Sequence, residues 1–237
     1  PEDIYNNWFV GRPIDTYYGY VAAPAVWGYS KEDFEEMDAL KAHGSKFNPG
    51  DLRLIDLNGD TMINDKDRQI RGSKMPKWTI SMANTFKYGP FDLYVFIYGA
   101  FGHTIYWDPG VGLGGRNNTY KVDYWTPTHT NTKWLAPHAD MQMPSNISAM
   151  YYWKGDYLKI SDITLGYTLP AITSKVGIQK ARIYAKVQNP FMFTEFEGID
   201  PEGSIAQQRN SATGIIELYR DASFSMTTYM FGLNLTF

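Results

Sequence analysis

Taken backward in steps of two, the end of the chain gives Phe237, Leu235, Leu233, Phe231 and Tyr229, and the alternate positions give Thr236, Asn234, Gly232, Met230 and Thr228. One set is apolar throughout and the other is mostly small or polar. A period of two over about ten residues, with a ring at each end, is what a strand needs when lipid touches one face and water the other. A soluble sandwich strand alternates equally well. Chain ends usually fray unless tied down, and here the periodicity runs to the final Phe, which favours the membrane strand.

Other runs repeat the pattern. Residues 180–189 alternate Ala181, Ile183, Ala185 and Val187 with Arg182, Tyr184, Lys186 and Gln188, and two neighbouring cations on that second face require water. Residues 78–88 and 91–107 are β-rich runs on either side of Gly89-Pro90, a turn dipeptide, so they are expected to form a hairpin. In the second run Phe91, Leu93, Val95 and Ile97 share one face, but Tyr94, Phe96 and Tyr98 make the other nearly as apolar, which leaves its orientation open. Residues 151–169 form another long run in which Leu158 and Ile160 have the opposite parity to Ile163, Leu165 and Tyr167, implying a bulge near Ser161 and Asp162. The Tyr-rich segment 12–27 reads as extended. About six strands result, several longer than the five or six residues usual in a sandwich. The connections alternate between short (Gly89-Pro90, residues 170–178) and long and irregular (residues 108–150 and 194–221), as the two ends of an outer-membrane barrel do. One short surface helix is expected from Ser30, with Asp33 three residues on and Phe34, Met37 and Leu40 as its apolar stripe, stopping near Gly44.

Composition agrees with an all-β chain, since aromatics make up 16% of the 237 residues and Gly and Pro are abundant. The formal charge, 22 − 25 = −3, is too balanced to grip a phosphate backbone, so nucleic acid is not an expected partner. Zero Cys excludes a disulfide framework, a thiolate metal site and a Cys nucleophile. No window of 18 consecutive apolar residues exists, so a spanning helix is excluded while spanning strands are untouched by that test. The opening Pro-Glu-Asp-Ile-Tyr has no basic or apolar targeting segment, so the chain is expected to be cytoplasmic or a mature or internal piece of something exported.

The segment 56–67 carries candidate chemistry. Asp56, Asn58, Asp60, Asn64 and Asp67 stand at positions 1, 3, 5, 9 and 12 of a twelve-residue loop, with the Met62 carbonyl at position 7. A hard cation takes six to eight oxygens, which points to a structural Ca²⁺, with Mg²⁺ as the alternative. Ile63 would tether the loop to a core. Position 6 is Thr61 and position 12 is an Asp, departures that predict weaker or altered coordination; a metal-free turn rich in Asx hydrogen bonds is the rival. The run Gly110-Val-Gly112-Leu-Gly-Gly115 formally matches a dinucleotide fingerprint but opens no helical pattern, so it reads as a surface loop. His129 and His138 are too far apart to argue for a metal, and no triad or carboxylate pair stands out, so no enzyme is expected. Trp107, Tyr124, Trp125 and Trp134, with Asn and Thr around them, could stack on a glycan or hold a peptide; for each ring singly, packing is the better account.

Gly50-Asp51, Asp56-Leu-Asn58-Gly59-Asp60, Asn64-Asp-Lys-Asp67-Arg68, Pro76-Lys77-Trp78 and Gly89-Pro90-Phe91-Asp92-Leu93 follow one another in an order that is itself informative. They continue with Tyr124-Trp125-Thr126-Pro127, Asp156-Tyr157-Leu158-Lys159-Ile160, Ile163-Thr164-Leu165-Gly166-Tyr167, Gln188-Asn189, Gly198-Ile199-Asp200-Pro201-Glu202 and the closing Phe231-Gly232-Leu233-Asn234-Leu235-Thr236-Phe237. Together they resemble the C-terminal barrel region of SusC/RagA-like TonB-dependent outer-membrane transporters over nearly the whole chain. The resemblance implies an all-β fold in which residues 1–237 are the last part of a 22-stranded transmembrane barrel with an N-terminal plug. It also implies a SusD-like surface lipoprotein as partner, energy from the TonB complex, and import of glycans or peptides across the bacterial outer membrane. About six strands cannot close a barrel, so a second portion, the N-terminal remainder with its plug, is expected to complete it, through cleavage in a loop or through how the chain is defined. The rival is a soluble β-sandwich carbohydrate-binding module with a structural calcium.

Overall fold

The computed structural model describes residues 3–107, 123–137, 146–170, 177–198, 200–202, 205–209, 216–220 and 225–237, with 205–209 and 216–220 described by backbone alone. In chain order the elements are β1 (Thr16–Gly19), α1 (Lys31–Ala42), β2 (Gln69–Ser73), β3 (Trp78–Tyr88), β4 (Phe91–Phe101) and β5 (Thr104–Tyr106). They continue with β6 (Tyr152–Lys154), β7 (Tyr157–Thr168), β8 (Lys180–Thr194), β9 (Ile205–Arg209), β10 (Ile216–Arg220) and β11 (Thr228–Thr236). Two compact units share them: Pro1–Lys74 with Thr104–Trp153, and Met75–His103 with Lys154–Phe237.

The first unit has an ordinary buried core. Val26, Leu52, Leu54, Trp125, Trp134 and Leu135 form one cluster, and Trp27, Met37 and Leu40 form another against Phe47 and Ile63. Helix α1 starts where Ser30 Oγ accepts from the Asp33 N–H at 3.0 Å, filling one of the donors a helix N-terminus leaves open. Its stripe buries Met37 and Leu40 while Phe34 stays exposed. Arg53 fastens the helix: it pairs with Asp33 at 3.1 Å and with Glu36, and its guanidinium lies 4.6 Å above the Trp27 ring. Within this unit the run 12–27 is not a long strand. Strand β1 pairs with β2, and beyond it the partner changes: Val21, Ala23 and Trp27 exchange backbone hydrogen bonds with residues 50–55, with an isolated bridge between Ala22 and Leu54.

The second unit is built on one antiparallel sheet of five strands in the order β11-β8-β7-β4-β3. The β3–β4 hairpin turns at Gly89-Pro90, where Gly89 takes a φ of +55°, a value open to glycine at the first position of a two-residue turn. Register settles the open orientation of β4: Phe91, Leu93 and Val95 pair with Tyr167, Leu165 and Ile163, so all six lie on one face. The expected bulge is present. Pairing slips between Ile160 and Asp162, leaving Ser161 extra, and Leu158 and Ile160 thereby join the same face as Ile163. The connection after β8 differs from an irregular loop, because β9 and β10 pair antiparallel within it. No helix among the described residues is long and apolar enough to cross a membrane.

Candidate functional site

The large sheet separates its side chains into two contrasting faces. On β8, Ala181, Ile183, Ala185 and Val187 stand opposite Leu235, Leu233, Phe231 and Tyr229 of β11. The apolar face then continues through Leu165 and Tyr167 to Leu93 and Phe91, and through Phe86 and Met82 of β3. Its large side chains are not covered: Phe231 is 84% exposed, Tyr229 70%, Phe237 76%, Leu233 58% and Leu235 41%. Rings lie toward both ends of this band, with Phe91 and Tyr167 packed at 4.9 Å toward one end and Phe191 and Phe193 toward the other.

The opposite face is wet chemistry. Arg182 of β8 crosses β7 to reach Asp92 of β4, its Nε donating to Asp92 Oδ1 at 2.8 Å and its Nη2 donating to the other oxygen. It can do so because Gly166 lies beneath it, where any Cβ would collide with the guanidinium. Tyr184 occupies the space over Gly232 in the same way, and its ring lies 5.2 Å from the Arg182 guanidinium. Farther along, Lys186 pairs with Asp162, and Lys159 pairs with Glu202. Asp200 accepts from the Glu202 and Ser225 N–H groups at 2.8 Å each, which ties the connection after β8 to the start of β11. Beside that tie is a cavity of about 280 Å³ lined by Lys159, Asn189, Met192, Asp200, Ser225 and Thr227. This face is polar, with its charges paired across strands and many donors and acceptors.

The acidic loop in the first unit wraps its oxygens around its own backbone. Asp56 accepts from the Gly59 and Thr61 N–H groups at 2.7 Å each, Asn58 from Asp60 at 3.0 Å, and Asp60 from Met62 at 3.0 Å. Gly59 and Thr61 both take positive φ, +74° and +59°, to aim those N–H groups inward. Slight burial raises the Asp56 pKa, but the Gly59 and Thr61 donors outweigh it and hold the carboxyl below the ordinary carboxylate value. Asp67 plays a different part. It is fully buried, accepts from Leu57 at 3.0 Å and Asn64 at 2.8 Å, and so braces both ends of the loop. Asn64 caps the short turn Asp65–Asp67 through Lys66 N–H, and Ile63 packs against both hydrophobic clusters. Among the described residues no three His, Cys, Asp or Glu groups converge to hold a metal ion. Asp56 and Asp67 each accept one N–H on either oxygen, and what separates them is burial, since Asp67 is wholly enclosed and Asp56 is not.

The four rings proposed to meet substrate are spread through the first unit. Trp125 and Trp134 are buried in its core, so those two serve packing. Tyr124 is half-buried against the same cluster, and Trp107 packs edge-on to Trp153 at 5.6 Å and accepts its indole N–H at 3.2 Å. His129 meets Asp123 at 2.8 Å, while His138 and the glycine run 110–115 lie outside the described residues. One residue was not singled out from sequence. Arg71 of β2 sits beside Gly72, and a charged residue before a glycine inside a short β run is the signal of a bulge that could have drawn notice.

A five-stranded antiparallel sheet with a bare apolar face and a charged opposite face marks a membrane-type β-barrel portion. Comparison with known proteins places it more closely. TonB-dependent receptor P3 of Formosa agariphila is 31% identical over 232 residues, covering 96% of this chain and 22% of that receptor. TonB-dependent receptor SusC of Bacteroides thetaiotaomicron is 24% identical over 185 residues, 74% of this chain and 17% of SusC. A solved structure of the RagAB peptide transporter matches 97% of this chain and 24% of its own with a TM-score of 0.66 at 17% identity. No family model matches. The chain is a SusC/RagA-like segment, homologous to TonB-dependent receptors over most of its length, and it spans about a fifth of the length of those relatives.

Proposed function

We propose that this chain is the C-terminal part of a barrel in an outer-membrane importer that moves glycans or peptides, powered by the TonB complex and paired with a SusD-like surface lipoprotein. The observation that carries this is the exposed apolar face of the five-stranded sheet backed by a charged one. In water, that band from Phe86 to Phe237 would be a severe aggregation liability; in hydrocarbon it is the favourable surface. Strands β3 and β11 each keep one edge unpaired among the described residues, and orphaned backbone groups in lipid cost several kcal/mol apiece. The remainder of the same polypeptide, carrying the plug, therefore closes the barrel. The similarity to receptors named TonB-dependent supports the energy source, and the likeness in fold to the RagAB peptide importer supports import. The charged face would then line the passage and the paired ions would hold its wall rigid.

Cells carrying or lacking the full-length receptor, with the TonB system intact or deleted, test this by uptake of labelled glycan and peptide mixtures. Uptake that requires both is expected; uptake indifferent to the receptor overturns the importer.

A structural Ca²⁺ in the loop 56–67 is a second part of the proposal. It is favoured by Asp56, whose two oxygens each take one N–H and keep lone pairs for a cation. The ion would rigidify the loop and take no part in chemistry.

A further inference from the structure

We propose that Arg71 is a receptor for a carboxylate carried by the imported molecule. This rests on the importer reading and deepens it by naming a chemical feature of the cargo.

The backbone around Arg71 is shaped to present it. Strands β1 and β2 pair Tyr17 with Gly72 and Tyr18 with Ile70, so Arg71 is the extra residue of a β-bulge, a device that re-aims a side chain. Gly72 takes a φ of +128°, and a Cβ there would run into Thr104, so the turn of the chain at this point depends on glycine. The Thr104 hydroxyl donates to the Arg71 carbonyl at 3.3 Å and braces the bulge.

The side chain thus presented sits among tyrosines. The guanidinium lies 5.1 Å from the Tyr152 ring, and Tyr152 packs on Tyr17 at 5.6 Å and on Tyr106 at 5.3 Å. A stacked ring holds the plane of the fork and removes part of its hydration without supplying negative charge. Burial, the main influence, pulls the Arg71 pKa below the ordinary arginine value, yet the group stays charged at neutral pH.

Charge balance distinguishes Arg71 from its counterparts. Arg53 pairs with Asp33 and Glu36, Arg68 with Asp65, and Arg182 with Asp92; Arg12 is simply exposed to water. Arg71 is half-buried, its Nε has no hydrogen-bond partner, and no carboxylate of the described residues forms an ion pair with it. A positioned, partly desolvated guanidinium with no counter-ion among the described residues is a ready partner for a planar oxyanion, which its two terminal nitrogens, and not the enclosed Nε, can meet with two parallel N–H···O bonds. The carboxylate could come from a peptide terminus or from a uronic acid of a glycan.

The test uses the full-length receptor in detergent and four probes: an alanine-glycine hexapeptide as free acid and as C-terminal amide, and tetragalacturonate as acid and as methyl ester. The wild type should bind at least one acid more tightly than its neutral twin. Arg71→Gln should weaken that acid about tenfold and leave the neutral twin unchanged, with Arg71→Lys in between because a point charge remains without the fork. The responding pair identifies the source of the carboxylate. Raising salt on the wild type should weaken only the acid, a check that stands even where a variant folds poorly. Binding of none of the four, equal affinity within both pairs, or a loss shared by acid and neutral twin overturns the proposal. Failure of the importer reading would appear instead in the uptake comparison, as uptake indifferent to the receptor.

Discussion

The two units of this chain solve opposite solvent problems with similar residues. In the first, Trp27, Ile105 and Leu135 are almost wholly buried and most charges stand outside, Asp51 and Asp67 excepted. In the second, Phe231, Tyr229 and Trp78 are the bare side chains while Arg182, Asp92, Lys186 and Asp162 pair on the other face. The same aromatic-rich composition yields a core where the period of apolar positions is irregular and loops converge. It yields a coat where the period is strictly two over long strands. Burial in the isolated chain is therefore not a measure of importance: in the sheet the exposed residues are the ones whose surroundings are most demanding.

Three perturbations sharpen that contrast, all in the full-length receptor. Trp27→Ala in the first unit should cost about 3–5 kcal/mol by opening a cavity against Met37 and Leu40, read as an early local melting and rapid proteolysis near α1. Melting unchanged to within error would mean that this unit has no true core. Next in size, Leu233→Arg on the apolar face should cost about 2–4 kcal/mol if it lies near mid-membrane, and lower the amount of folded receptor in the outer membrane. Asn234→Arg, one residue along and on the charged face, should be tolerated. Equal effects of the two would erase the distinction between faces. The smallest effect is expected at the loop 56–67. Its Asp56 carboxyl is held below the ordinary value, so its stabilisation is present above about pH 4, where an unfolded Asp is already ionised, and is lost as pH falls through the depressed folded value. Acidification and, at neutral pH, chelation of Ca²⁺ should each speed cleavage within 56–67 and leave the sheet intact. Indifference to chelation would remove calcium from the proposal.

Much of the sheet was legible because a period of two is visible without knowing the neighbours. The alternation in residues 180–189 and 229–237, the Gly89-Pro90 hairpin and the slip at Ser161 all follow from local order. The run 12–27 misled because tyrosines suit strands, whereas its pairing is divided between β2 and residues 50–55, which local sequence does not show. For Trp125 and Trp134 packing was already the better account, but no periodicity marked their place in the core; their burial is set by Val26, Leu52 and Leu54, about 70 to 110 residues earlier in the chain. The reach of Arg182 to Asp92 was likewise hidden, since it needs the knowledge that Gly166 lies between them. Arg71 escaped because the want of a counter-ion among the described residues is a property of space and not of sequence.

The single unpaired residue at Ser161 carries an evolutionary corollary. Without it, Lys159 would swing into the oily side and Leu158 and Ile160 into the wet one, so every strand here is a reading frame in which one inserted or deleted residue reverses all that follows. Length changes in such a wall are expected in pairs, or at sites like this one that can absorb the odd residue, and elsewhere only in the connections.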